Sequence, residues 1–147
     1  MQPAPESFGE LVQIIYCSRS LLHGTRAEIS AEIFDIVAVS RRNNLRDQIT
    51  GALFFNGRSF AQVLEGAPLA IANLYARLLR DKRHGDLCLM QHELITGRCF
   101  QGWAMAYFEG CEGQGFTISS GLLSDIVPNG ERAGAIIELM RYVMMDR

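Results

Sequence analysis

At 147 residues, with 48% apolar and 20% charged residues and a formal net charge of −2, the chain has the composition of one ordinary globular domain large enough to bury a core. Its charges are interspersed, which leaves no basic field for nucleic acid, and no apolar run approaches the roughly 18 residues that a membrane-spanning helix needs. The expectation is a cytoplasmic protein that binds neither nucleic acid nor membrane.

Residues 1–9 are polar and acidic and read as a flexible lead. From Leu11, LVQIIYCS has strand alternation: Val12, Ile14 and Tyr16 share one face, Leu11, Gln13 and Ile15 the other. Both faces are largely apolar, so the strand is expected to be central. A loop through Gly24 leads to a helix of about residues 30–42, with Ser30 as N-cap and Ile33, Ile36, Val37 and Ser40 at helical spacing. A hairpin follows, with strands Thr50–Phe55 and Ser59–Leu64 around a turn at Asn56-Gly57. Pro68 opens a second helix, which presents Leu74, Leu78 and Leu79 and ends near Arg83. A strand over about residues 87–95 and a last strand GWAMAYF, with Trp103, Met105 and Tyr107 on one face, complete the order βαββαββ. That order predicts an α+β fold, a ferredoxin-like sandwich. The glycine-rich stretch from Gly110 to Gly115 reads as a linker, and residues 118–126 and 131–145 as two extra C-terminal helices.

Polar groups at core-directed positions carry the chemical signal. Alternation places Gln62 on one strand face with Phe60 and Leu64, where an unpaired amide would cost about 1–3 kcal/mol. Tyr16 and Asn44, just after the first helix, are directed similarly. The three could satisfy one another as core polar groups, or hold a flat heteroaromatic ligand with a carbonyl and ring nitrogens on its edge. Cys17, Cys88, Cys99 and Cys111 lack C-x-x-C spacing and His23, His84 and His92 are scattered, which argues against a metal site and for reduced, mostly buried thiols. The run Arg80-Asp81-Lys82-Arg83-His84 reads as a solvated helix end.

Five motifs in order, IIYCSRS, SRRNN with ITGALFF, FAQVLEG, RDKRH and GWAM, resemble the BLUF family, blue-light sensors that use FAD, over about residues 10–108. The resemblance implies a ferredoxin-like domain holding a flavin between its two helices. It implies FAD as the cofactor, with FMN or riboflavin open because no phosphate motif is visible. In that reading Tyr16 gives an electron and a proton towards the photoexcited flavin. Gln62 lies between Tyr16 and the flavin edge and rearranges its hydrogen bonds by rotation or tautomerisation. Asn44 binds the pyrimidine edge, His84 lies near the same ring, and Ile36 and Leu78 sandwich the isoalloxazine. Ser18, Trp103 and Met105 carry the change onward, with Trp103 and Met105 as alternatives for the place beside Gln62. Asn43 and Cys17 receive no role.

The division expected is a lead (1–9), a flavin-binding domain (10–108), and a linker with a C-terminal helix pair (109–147). The protein would be a photoreceptor and no enzyme, signalling to an effector protein or through homo-oligomers. Two alternatives stand beside this reading: a light-independent ferredoxin-like binding or oligomerisation module, and a hydrolase resembling acylphosphatase. The hydrolase would need a phosphate-cradling loop after the first strand, for which CSRSLLHG is a poor match.

Overall fold

The computed structural model describes residues 9–111 and 115–118. Strand β1 (Leu11–Ser20) is followed by helix α1 (Arg26–Asp47), strands β2 (Thr50–Phe55) and β3 (Ser59–Gly66), helix α2 (Pro68–Arg80), and strands β4 (His84–Ile95), β5 (Ala106–Cys111) and β6 (Gly115–Ile118). The sheet order is β4-β1-β3-β2-β5-β6, antiparallel throughout except for the β2–β5 pair. The order β4-β1-β3-β2 with both connecting helices on one face is the expected ferredoxin-like arrangement, and β5 and β6 extend it. The stretch expected as a linker thus belongs partly to β5 and β6. The helix pair expected beyond lies outside the described residues, except that Ile118 ends β6.

Helix α1 starts earlier and ends later than the apolar spacing indicates. Thr25, not Ser30, is the N-cap: its hydroxyl accepts from Glu28 N at 3.1 Å while Glu28 Oε1 accepts from Thr25 N at 2.8 Å. Such a capping box stabilises a helix start by about 1 kcal/mol without any apolar residue, which is why a count begun at Ile33 missed it. At the other end Gln48 adopts φ 58° and its N–H returns to Asn44 O and Leu45 O. Asn44 therefore stands inside the last turns of the helix, not after it, and it is buried against the sheet.

The hairpin turns at Gly57-Arg58, one residue past the expected Asn56-Gly57: Asn56 N returns to Ser59 O at 3.3 Å, Gly57 takes φ 95°, and Asn56 Oδ1 accepts from Arg58 N (2.9 Å) and Ser59 N (2.8 Å). At Gly51 the strands approach so closely that a Cβ would lie 2.0 Å from Val63 O, so only glycine fits. Helix α2 stops at Arg80, three residues before the expected Arg83. There Asp81 accepts from Arg83 N at 2.9 Å and pairs with its guanidinium at 2.7 Å, and His84 already begins β4.

The sheet has an apolar cluster on each side. On the helix side Val12, Ile14, Leu53, Phe55, Phe60 and Leu64 pack against Ile33, Val37 and Ile71. On the far side Ile15, Phe54, Val63 and Phe108 gather around Phe100 from the β4–β5 connection, with Phe54 and Phe108 stacked at 4.6 Å. Trp103 and Met105 do not share a strand face. Strand β5 begins only at Ala106, because Gly102 turns the chain at φ 89° and Trp103 N returns to Phe100 O at 2.9 Å. Alternation does not run through that turn: Met105 is buried on the helix side, while Trp103 packs against the far-side cluster.

Candidate functional site

A cavity of about 240 Å³ lies between α1 and α2 over β1 and β3, and Tyr16, Ile36, Asn44, Gln62, Leu78 and His84 all line it. Its walls are apolar where the helices contribute Ile36, Leu74 and Leu78, and polar where the strands and the end of α1 contribute amides and a phenol. A groove of about 300 Å³ lies beside α1 at Phe34, Phe55 and Tyr107, but neither core amide reaches it. Convergence of buried polar groups therefore favours the first cavity as the site.

Tyr16 and Gln62 are register partners across β1 and β3, and the Tyr16 hydroxyl donates to Gln62 Oε1. Burial raises the Tyr16 phenol well above its ordinary value of 10.0, and the Asp81 carboxylate adds to the rise, so the hydroxyl keeps its proton. The other end of the Gln62 amide, Nε2, points to Met105 Sδ at 3.6 Å. A thioether is a weak acceptor. The amide is thus held firmly at its oxygen and loosely at its nitrogen, and of the two alternatives Met105, not Trp103, sits beside it.

The end of α1 fixes the segment that carries Met105 into β5. Asn44 Nδ2 donates to Ala104 O at 2.8 Å and Arg41 Nε to Met105 O at 2.9 Å. His84 Nε2 lies 2.7 Å from Leu78 O, and since a carbonyl only accepts, that nitrogen carries the proton. His84 Nδ1 lies 2.7 Å from Ser18 Oγ, which completes the bonding of the ring. Ser18 consequently stands behind His84, whose ring centre is 6.1 Å from that of Tyr16.

Several lining residues have no part in the site as read from the sequence: Ser40, Asn43 and Arg77, and also Asp81 and Arg83, whose run after α2 reads as a solvated helix end but borders the cavity. Helical spacing places Arg77 one residue before the apolar Leu78, on the edge of the stripe, where charge ordinarily means solvent. Asp81, held below the usual carboxylate range by the Arg83 guanidinium, enters only through the turn after α2. Among the described residues no three or more His, Cys, Asp or Glu side chains converge as metal ligands, and no helix is long and apolar enough to cross a membrane.

The family model described as "BLUF: Sensors of blue-light using FAD" matches residues 11–106, more than half of the chain. The blue light- and temperature-regulated antirepressor BluF of Escherichia coli K12 is 30% identical over 78 residues, 53% of this chain and 19% of that protein. Photoactivated adenylate cyclase subunit beta of Euglena gracilis is 35% identical over 90 residues, 61% of this chain and 10% of that one. The chain thus spans about a fifth or less of the length of these curated relatives. Among solved structures, BlrB, a BLUF protein in its dark state, matches with a TM-score of 0.64 and 36% identity over 71% of this chain and 74% of its own. A bacterial light-regulated adenylyl cyclase matches with a TM-score of 0.64 and 28% identity over 92% of this chain and 34% of its own. A match of this extent, on a fold that those solved proteins share, places the chain in the BLUF family, sensors of blue light that use FAD.

Proposed function

We propose that the cavity between α1 and α2 holds the isoalloxazine ring of the flavin and that Tyr16 and Gln62 on its floor, with Met105 against the Gln62 amide, form the light-driven switch. The donor set fits such a ring: apolar side chains of Ile36 and Leu78 come from the two helices, and Asn44 and Gln62 supply amides for a polar edge. At about 240 Å³ the cavity is below the usual range of ligand pockets, which suits a ring whose tail extends outward past Arg77 and Arg83, guanidinium groups that favour a phosphate. When bound, the flavin supplies absorption of blue light and an excited state that is a strong oxidant.

The protein's part follows from the hydrogen bonds. Tyr16 is protonated, buried and donates to Gln62 Oε1, so an electron and a proton can leave it along one bridge. Gln62 carries a donor and an acceptor at opposite ends of its amide, and reorganising it exchanges them. The weak thioether contact at Nε2 opposes that change little. Asn44 and Arg41, which hold the carbonyls of Ala104 and Met105, pass the new arrangement to β5.

The output leaves this domain for an effector protein or an interface between copies of the chain, through residues 109–147, and the chain itself acts as a sensor with no catalytic chemistry of its own. Relatives whose names join blue light to an antirepressor or an adenylate cyclase support output to an effector. The observation that carries this reading is the asymmetric tethering of Gln62 between a phenol and a thioether. Its test is the light-minus-dark absorption difference of wild type and Gln62→Leu. The expected result is flavin in both and a reversible red shift in wild type alone; a shift of wild-type size in Gln62→Leu would remove the amide from the mechanism.

A further inference from the structure

The far face of the sheet carries a polar row that takes no part in the cavity. Gln13 is the register partner of Glu65, and Glu65 of Thr50, so the three stand side by side on β1, β3 and β2. Alternation directs Gln13 with Ile15 and Cys17, and Glu65 with Ala61 and Val63, away from the helices. Gln91 on β4 extends the row, its Nε2 donating to Gln13 Oε1 at 2.8 Å.

Glu65 is 0% exposed, an expensive place for a carboxyl group unless its oxygens are met. Oε2 accepts from Gln13 Nε2 at 3.0 Å and Cys99 N at 2.7 Å; Oε1 accepts from Thr50 Oγ1 at 3.0 Å and Phe100 N at 3.0 Å. Each oxygen faces two donors. An amide turned either way would present its NH₂ to two of them, so Glu65→Gln cuts two of the four bonds and keeps the shape of the side chain.

What the row holds is the connection from β4 to β5. Arg98 adds bonds to Thr50 Oγ1 (2.9 Å), Glu65 O (3.0 Å) and Gln48 O (2.9 Å). From the anchored Phe100 the chain turns through Trp103, whose carbonyl accepts from Gly51 N at 3.0 Å, and delivers Met105 to Gln62. Met105 is therefore fixed from two ends: by Asn44 and Arg41 on the helix side, and by Glu65 through the loop on the far side.

We propose that Glu65 is a positioning residue of the switch, which seats Met105 against Gln62 by holding the backbone of Cys99 and Phe100. The proposal rests on the light-sensing reading above. Its buried position on the face opposite the cavity means that it acts on the lifetime of the switched state and leaves flavin binding alone.

The test uses the full chain loaded with flavin, as wild type, Glu65→Gln and Arg98→Met. Both variants are expected to keep the wild-type dark spectrum and flavin content. Amide hydrogen exchange at Cys99 and Phe100 rises by about tenfold or more when the anchor is cut. The return to the dark spectrum changes by about threefold or more, at the low end of coupling between linked residues. Faster exchange with an unchanged return rate would overturn the proposal, since the anchor would be broken without effect on the switch. Should Glu65→Gln fail to fold, Arg98→Met, which loosens the same loop and keeps the carboxyl group, decides alone. A wild-type chain that holds flavin but shows no light shift would overturn the photoreceptor reading and this proposal together; a wild-type shift with unaltered recovery in the variants overturns this proposal only.

Discussion

Tyr16→Phe removes one oxygen from a site that is otherwise unaltered in shape. The lost hydroxyl is the donor to Gln62 Oε1, and both side chains are buried, so the amide oxygen loses a partner that water cannot readily replace. Leaving such an acceptor unmet costs about 1–3 kcal/mol. With about 4 °C per kcal/mol for a chain of this size, the melting temperature should fall by about 4–12 °C at matched flavin saturation. The same substitution should abolish the light-induced red shift while flavin is retained, because the apolar walls are untouched. It should also change the alkaline limb of stability. An unfolded tyrosine loses its proton near 10.0, whereas burial makes Tyr16 keep it. Its contribution is complete below about pH 10 and declines above by about 1.4 kcal/mol per pH unit. Tyr16→Phe removes that slope and leaves the one from Tyr107, which burial also raises. Thermal unfolding between neutral and alkaline pH, with light-minus-dark spectra on the same samples, reads all three effects. A wild-type red shift in Tyr16→Phe would remove the phenol from the switch, and an unchanged alkaline slope would mean that Tyr16 is not held protonated by burial.

Asn44→Ala removes the 2.8 Å bond to Ala104 O and an amide from the cavity wall, so flavin should be held about 5–10-fold more weakly, as equilibrium titration would show; unchanged affinity counts against the assigned contact. Trp103→Phe changes a side chain that packs on the far face of the sheet, so the dark spectrum and the size of the light shift should stay at wild-type values. Loss of the shift in Trp103→Phe would mean that the Trp side chain enters the cavity during the response.

Where side-chain direction follows from a two-residue period, the sequence was sufficient. Alternation groups Tyr16 with Val12 and Ile14, and Gln62 with Phe60 and Leu64, as the fold does, and the hairpin strands are legible on either side of Gly57; that the two groups share a sheet face comes only with the β1–β3 register. The period failed at Gly102, where a turn replaces the expected strand and sends Trp103 and Met105 to opposite sides. It also misjudged α1, whose first turn is polar and held by a capping box, and whose last turn carries Asn44. Glu65 was quoted within FAQVLEG without a role. Alternation puts it with Ala61 and Val63 on the face opposite Gln62, but its donors at Gln13, Cys99 and Phe100 lie far off in sequence and meet only in the fold. The cavity itself arises from two helices and four strands, so a flavin is legible in the family motifs and not in any local pattern.

The most direct test of the account is the absorption spectrum of the purified, flavin-loaded protein in darkness and immediately after blue illumination. The expected result is a flavin spectrum that moves slightly to the red and returns in the dark. A flavin spectrum that light leaves unmoved would contradict it, and a protein that cannot be loaded with flavin at all would return Tyr16, Asn44 and Gln62 to the role of mutually satisfied core groups in a light-independent module.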